Sequence, residues 1–380
     1  MKFVHLSDLH LGKKVNEYSM LEDQEYILKK ILNIIDKEKT DGVIIAGDIY
    51  DKSVPPAEAV QLFDDFIFQL AKRDLKVFVI GGNHDSPERL SFGSRIMDPG
   101  GIHFSKVYDG NVSAISLDDE YGTVDIYMLP FIKPASVRRF CGEDEEIATY
   151  ADAVEFAISK MDIVPVNRNI IVAHQFVTGA QRSESEDISV GGLDNVDASV
   201  FEKFDYVALG HIHSPQTCGS DKIRYSGTPL KYSFSEARDQ KSVTVIELGK
   251  KGNISYKKVE LIPQHDMAEI KGKFAEITSK SFYENTTLQE DYIHITLTDE
   301  EDVPDAIGKL RSIYHRLMKL DYDNQRTRSS AEISDISDLK CKSPLELFSD
   351  FYFLQNNQPM SDEQREFMEK MIEKTWEEKE

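Results

Sequence analysis

The stretch Val77-Phe78-Val79-Ile80-Gly81-Gly82-Asn83-His84-Asp85-Ser86-Pro87-Glu88-Arg89-Leu90 decides the fold. Its first four residues are apolar and mostly β-branched, as in a buried strand, and Gly81-Gly82 give the backbone the freedom for a sharp turn. An amide, an imidazole and a carboxylate follow at once. In an open α/β sheet, ligands gather at the carboxyl ends of strands, so Asn83, His84 and Asp85 are candidates for chemistry. The same residues also suit an ordinary strand-to-helix turn with Asn and Asp as turn formers and caps. Partners supplied by other strands decide between the two.

Working outward, four more segments repeat the pattern. Lys2 to Leu6 is a short apolar strand leading into Ser7-Asp8-Leu9-His10. Asp8 and His10 are two apart, so on extended backbone they share a side, which suits two ligands of one metal. Val43-Ile44-Ile45-Ala46 ends in Gly47-Asp48-Ile49-Tyr50-Asp51, Asn169 to Ala173 delivers His174, and Tyr206 to Gly210 delivers His211 and His213. Helices are predicted between the early strands: Leu21 to Glu38 carries Ile27, Ile31, Ile34 and Ile35 on one face, and Ala57 to Arg73 carries Phe63, Phe66, Ile67 and Leu70. Strand-helix alternation implies an α/β fold with a parallel sheet, right-handed crossovers and helix-covered faces. Alternating runs between Gly101 and Val137, such as Val124 to Leu129, predict antiparallel strands of a second sheet. Acidic Glu143-Asp144-Glu145-Glu146 reads as the first turn of a helix reaching Met161, and Gly179 to Asp197 as a long surface loop. Val243 to Leu248 and Ile254 to Leu261 read as a closing hairpin.

A break at Ile262-Pro263-Gln264 ends the first domain, residues 1–262. Residues 263–320 predict a small α+β domain, with a helix over Glu269 to Ser279, a strand over Tyr292 to Leu297 and a second helix over Asp305 to Leu317. Residues 321–343 are polar and serine-rich, the composition of a linker. The tail, 344–380, reads as helical and carries Phe348, Phe351, Tyr352 and Leu354.

Composition excludes several classes. At 380 residues and 40% apolar the chain is globular, and no apolar run approaches the roughly 20 residues that span a membrane. The N-terminal residues reach charge too soon for a secretory signal peptide, so a cytoplasmic location is expected. Cys141, Cys218 and Cys341 form no Cys-x-x-Cys pattern, which argues against a disulfide framework or a zinc ribbon. A formal net charge of −22 argues against coating nucleic acid by bulk electrostatics. It leaves room for a phosphodiester substrate, because bound cations and a local basic patch can hold phosphate.

Five of the ten histidines sit at predicted strand ends, beside Asp8, Asp48 and Asn83. Mixed imidazole, carboxylate and amide-oxygen ligation suits manganese, iron or zinc, and no thiolate is present. Seven ligands suffice for two metals sharing one carboxylate. Such pairs, with ions about 3.5–4 Å apart, clamp an in-line displacement, which selects phosphoester hydrolysis.

The motifs Asp8-x-His10, Gly47-Asp48-x-x-Asp51, Gly82-Asn83-His84-Asp85, His174 and Gly210-His211-x-His213 resemble the calcineurin-like metallophosphoesterase superfamily. More narrowly, His5 to Gly12, Gly47 to Asp51, Asn83 to Leu90 and Ser226 to Glu236 are similar to the SbcD family of bacterial nuclease subunits. The resemblance covers roughly residues 1–262; the remainder agrees in layout only. It implies a four-layer α/β/β/α sandwich carrying a small α+β capping domain and a helical C-terminal tail. By the same resemblance, Asp8, His10, Asp48 and His213 bind one metal, and Asp48, Asn83, His174 and His211 the other. His84 is then the acid or transition-state stabiliser, oriented by Asp85. The family implies two divalent ions, manganese by usage, and an SbcC-type coiled-coil ATPase partner, with a homodimer of nuclease subunits inside the heterotetramer. It also implies 3′-to-5′ exonuclease action on double-stranded DNA and opening of hairpins, in repair, recombination and palindrome processing. Asp51 stands where archaeal and eukaryotic relatives carry a second active-site histidine, as in SbcD proteins; it receives no catalytic role and could orient a ligand histidine.

Lys13, Lys14, Arg89, Arg182 and Lys231 flank the metal motifs and are the expected DNA contacts. The aromatic residues of the tail read either as core or as a docking site for the coiled coil. The rival reading is a calcineurin-like phosphatase or phosphodiesterase acting on a non-DNA phosphoester. A pure scaffold is a third reading, against which the complete ligand set stands.

Overall fold

The computed structural model describes residues 1–142, 145–186, 195–324, 344–356 and 359–377. Glu143-Asp144, part of the 179–197 loop, most of the 321–343 linker and the side chains of Leu354 and Trp376 lie outside the described residues. The chain divides into two units, Met1–Asp266 and Met267–Glu380.

The first unit holds two six-stranded sheets. One runs in the order Ile254–Glu260, Ser242–Leu248, Lys2–Leu6, Gly42–Ala46, Lys76–Ile80, Ile102–Phe104. The other runs Gln216–Cys218, Ser220–Tyr225, Tyr206–Gly210, Arg168–His174, Gly122–Met128, Ala114–Asp119. The central strands of each are parallel. They need both faces covered, and their sequences show it. Ile44, Ala46, Phe78 and Ile80 point into a core shared with Ile126, Ile170, Val172 and Ala208 of the second sheet. The alternate residues Val43, Ile45, Val77 and Val79 are equally buried on the opposite face. Helices Leu21–Glu38 and Ala57–Ala71 bury Ile27, Ile31, Ile35, Phe63, Phe66 and Leu70. On the outer face of the second sheet, helix Tyr150–Ser159 packs Val154, Phe156 and Ala157 against Ile171, Ala173, Val207 and Leu209. Each large apolar side chain buried in this way contributes about 1.5–3 kcal/mol. The four-layer α/β/β/α architecture is the one expected.

Pairing register sets the site. Leu6 lies opposite Ile45, Ala46 opposite Ile80 and Gly210 opposite His174, so the parallel strands of each sheet end at one level. The loops carrying polar residues therefore emerge together.

Four expectations change. The acidic run does not open the 150–159 helix; Thr149 does, accepting from the Asp152 N–H while Asp152 accepts from the Thr149 N–H. Met267–Gly272 is a strand rather than part of a helix over 269–279, and only Phe274–Ile277 is helical there. Its residues are good helix formers, but six register pairs with Tyr292–Leu297 outweigh that local preference. The second expected helix stops at Arg311, and Arg316–Tyr322 forms a third parallel strand around Ile270, Ile293, Ile295 and Leu310. Finally, Gly81 and Gly82 do not adopt positive φ, so the turn does not use their freedom. Gly82 is required by closeness instead: a Cβ there would stand 2.1 Å from Asp48 Oδ1.

One buried histidine belongs to the core. His5 accepts from the Tyr206 hydroxyl at 3.1 Å and donates from Nε2 to the Leu209 carbonyl at 3.2 Å. Burial, reinforced by nearby Arg224, lowers its pKa to about 3. The unfolded chain then binds the extra proton below pH 6.5, so this contribution to stability is intact above 6.5 and is lost as pH falls toward 3. Acid unfolding of the metal-free protein should show a slope of up to about 1.4 kcal/mol per pH unit from this group, which His5→Asn flattens. An unchanged slope in that variant would contradict the assignment.

Candidate metal centre

The seven expected ligands arrive from five strand ends and meet. Asp48 Oδ2 lies 3.2 Å from His174 Nε2, 3.8 Å from His10 Nε2 and 3.9 Å from His84 Nε2. On one side of Asp48, His10 Nε2 and His213 Nε2 face each other at 3.2 Å, and Asp8, His10 and His213 form one tight donor cluster. On the other side, Asn83 Oδ1 lies 3.0 Å from both His174 Nε2 and His211 Nδ1. The ring of Phe131 lies nearly parallel to that of His211, at 19°, and edge-on to that of His174.

Backbone geometry is spent on this convergence. Asp8, His10, Asp48 and His211 hold φ of 53°, 45°, 49° and 97°, in the left-handed region that non-glycine residues avoid. The loops are stitched to one another: Asp8 N–H donates to Gly47 O, His10 N–H to Asp48 O and His211 N–H to the Asp8 carboxylate, at 2.9–3.0 Å. Gly210 fits only because it lacks a side chain, since a Cβ would stand 1.9 Å from the Ala46 carbonyl oxygen of the facing sheet.

The donor set fits divalent cations. His174 Nδ1–H donates to the Ala46 carbonyl at 2.8 Å, which leaves the Nε2 lone pair facing the oxygens of Asn83 and Asp48. Burial opposes a charge on this ring, yet Asp48 and Asp8 raise its pKa to about 9. The two carboxylates thus draw positive charge to this side of the cluster. Burial also works against ionised Asp48, but the surrounding imidazoles keep its carboxyl well below the usual range. Nitrogen and oxygen donors around a shared carboxylate are the chemistry of a two-metal site.

His84 sits beside this cluster, partly open to solvent. Its Nδ1–H donates to the carbonyl of Asp51 at 3.0 Å, so Nε2 is the ring atom presented toward Asp48. Asp85 acts one step further back than expected. Its carboxylate accepts from the N–H groups of Gly82, Ile49 and Tyr50 at 2.9–3.1 Å, binding the 47–51 loop to the 81–85 turn. Burial and the neighbouring Asp48 raise its pKa to about 6. The Asp51 side chain pairs with Lys13 at 2.7 Å and stands 3.9 Å from His10 Nδ1.

The expected DNA contacts separate. Lys14 and Arg89 are exposed. Lys13 is engaged by Asp51, Lys231 by Asp266 and the Ala237 carbonyl, and the Arg182 guanidinium lies over the Phe176 ring.

Several supporting residues escape a reading of the sequence. Gln24 donates to the His10 carbonyl and to Tyr232, whose hydroxyl donates to the Leu9 carbonyl, so both clamp the Asp8–His10 loop. Glu186 accepts from the His213 N–H at 2.6 Å, and Ser185 touches His213 Nδ1. Composition hides Glu186 and Ser185, because Ser183-Glu184-Ser185-Glu186 looks like solvated loop.

Comparisons with known proteins agree with this geometry. The calcineurin-like phosphoesterase profile matches residues 1–215, and the profile described as Type 5 capsule protein repressor C-terminal domain matches residues 263–356. The chain is 32% identical over 347 residues to the SbcD component of the SbcCD nuclease of Staphylococcus epidermidis, spanning 89% of this chain and 90% of that protein. The corresponding component in Staphylococcus saprophyticus is 33% identical over the same length and shares of both chains. With candidate ligands gathered from five strand ends of a two-sheet sandwich, the chain belongs to the calcineurin-like phosphoesterase family and, within it, to the SbcD family of nuclease subunits.

Proposed function

We propose that the chain is the nuclease component of a two-component DNA-processing complex, cutting double-stranded ends 3′ to 5′ and opening hairpins. The observation that carries this reading is the gathering of six nitrogen and oxygen side-chain donors around Asp48 with His84 beside them. Asp8, His10, Asp48 and His213 would hold one divalent ion, and Asp48, Asn83, His174 and His211 the other, with manganese the ion the family resemblance favours. Bound there, such ions would supply Lewis acidity toward an attacking water and the phosphoryl oxygens. His84 places Nε2 at the edge of the cluster, where a proton passes to the leaving oxygen or a hydrogen bond holds a phosphoryl oxygen. The Asp51 carbonyl keeps that ring turned to its task. Of the expected DNA contacts, Lys14 and Arg89 are exposed and would meet the DNA backbone, and the small α+β domain, residues 263–320, is read as a cap on the substrate.

His84→Ala should retain both metals and lose about 10²–10⁴-fold in cleavage rate. Loss of metal in that variant would contradict its role.

Apolar surface supports the reading of the partners. In the tail, helices Pro344–Asn356 and Asp362–Glu377 leave Phe351 57% and Phe367 63% exposed, with Phe353 and Met371. Such a surface suits the coiled coil of an SbcC-type ATPase. Phe351→Asp combined with Phe367→Asp should abolish co-purification with that ATPase while leaving intrinsic cleavage intact; undiminished binding would overturn the docking assignment. The proposal includes a homodimer of this chain, for which Phe92 and Ile96, both 86% exposed, offer apolar surface. Sedimentation of the purified chain as a monomer would overturn the dimer. No helix among the described residues is long and apolar enough to cross a membrane, and DNA as substrate favours a cytoplasmic place of work.

The test of function is cleavage of hairpin and linear duplex DNA with manganese or magnesium, with and without the ATPase. Metal-dependent cleavage is expected. Hydrolysis of small phosphomonoesters without any DNA cleavage would overturn the proposal.

A further inference from the structure

The segment Ser183–Glu186 is tied to the site more tightly than a surface loop needs to be. Glu186 accepts from the His213 N–H at 2.6 Å with one oxygen and from the Ser183 N–H at 2.8 Å with the other. Glu184 N–H donates to Ser235 Oγ at 3.1 Å. The result is that Ser185 Oγ stands 2.5 Å from His213 Nδ1. On its other side the same hydroxyl contacts Glu236 Oε1. Glu236 is fully buried, and its second oxygen pairs with the buried ammonium of Lys241 at 2.5 Å; Lys241 also donates to the His213 carbonyl at 2.9 Å.

Counting protons along this chain of contacts gives a direction. A carboxylate paired with an ammonium only accepts hydrogen bonds, and a serine hydroxyl has one proton to give. The close contact with Glu236 takes the one proton of Ser185; Ser183 Oγ, 2.8 Å from Ser185 Oγ and 3.3 Å from Glu236 Oε1, can then only donate to this pair, and Ser185 accepts from His213, which carries its proton on Nδ1. That leaves the Nε2 lone pair of His213 bare, on the side facing His10 Nε2 at 3.2 Å.

We infer that Ser185, backed by Glu236 and Lys241, is a positioning residue that locks His213 in the Nδ1–H tautomer and so prepares its Nε2 to ligate a divalent metal. It takes the part that a carboxylate or carbonyl usually takes behind a ligand histidine, as the Ala46 carbonyl does behind His174. The inference rests on the reading of His213 as a metal ligand.

The experiment is calorimetric titration of manganese into the metal-free full-length chain, together with the ¹⁵N-histidine spectrum of the metal-free protein, with His213 assigned by difference from His213→Gln. Wild type should bind two ions, and His213 should show the Nδ1–H tautomer. Ser185→Ala should weaken one ion by about 10–100-fold and leave the other unchanged, and Ser185→Thr should restore it. A purely structural role would disturb both ions alike and not respond to the hydroxyl. Unchanged affinity in Ser185→Ala, or an Nε2–H tautomer in the wild type, overturns the relay; the second readout needs no variant to fold. Two ions bound as tightly by His213→Gln as by wild type would instead overturn the ligand reading on which the relay rests.

Discussion

Asp48→Asn is expected to release both metals and to lower DNA cleavage by about four orders of magnitude, the scale on which losing one member of a catalytic unit acts in other hydrolases. The size follows from position. Asp48 Oδ2 is the atom nearest to ligands of both sets, 3.2 Å from His174 and 3.8 Å from His10. It is also the buried negative charge that offsets the imidazoles around it, and asparagine keeps the shape while removing that charge. Asparagine also keeps Oδ1, which accepts the His84 N–H at 2.9 Å, so the turn should stay folded. The variant separates charge from architecture. Calorimetry showing two tightly bound ions in Asp48→Asn would contradict the bridging assignment.

Gly210→Ala should damage the architecture itself. The added methyl would meet the Ala46 carbonyl oxygen at 1.9 Å and His174 Nδ1 at 2.7 Å. Both belong to rigid, fully buried elements, and neither is the yielding end of a flexible side chain. Separating two packed sheets costs about 3 kcal/mol or more, a fall in melting temperature of roughly 6–12 °C for a unit of this size. His174 would lose its hydrogen bond to Ala46, so metal affinity should fall with stability. A variant with unchanged melting temperature and full metal binding would show that the sheets do not meet as described.

The first unit is legible in the sequence because its signals are local and dense. Val43 to Ala46, Val77 to Ile80 and Asn169 to His174 are apolar runs ending in side chains that seldom follow such runs by chance. What escapes is set by contacts remote in sequence. Ser185 and Glu236 lie 51 positions apart, and nothing in the serine-rich, acidic composition of residues 183–186 says that they meet behind His213. Lys231 resembles a DNA-binding cation, but Asp266 and a backbone carbonyl claim it. Asp85 reads as the support of His84, yet three backbone N–H groups from two loops use its oxygens. In the second unit, Met267–Gly272 has helical composition and becomes a strand only because Tyr292–Leu297 lies beside it. Periodicity identifies elements that bury their own faces; it does not see partners.

On the proposed reading, Asp48 joins two metal sites into one centre that hydrolyses DNA. This is tested most directly by titrating manganese into the metal-free wild-type chain while counting bound ions and following cleavage of a hairpin duplex in the same samples. Two ions per chain are expected, with cleavage rising only as the second position fills. Full cleavage with one ion bound, or two ions bound with no cleavage of any DNA substrate with the ATPase present, would contradict it.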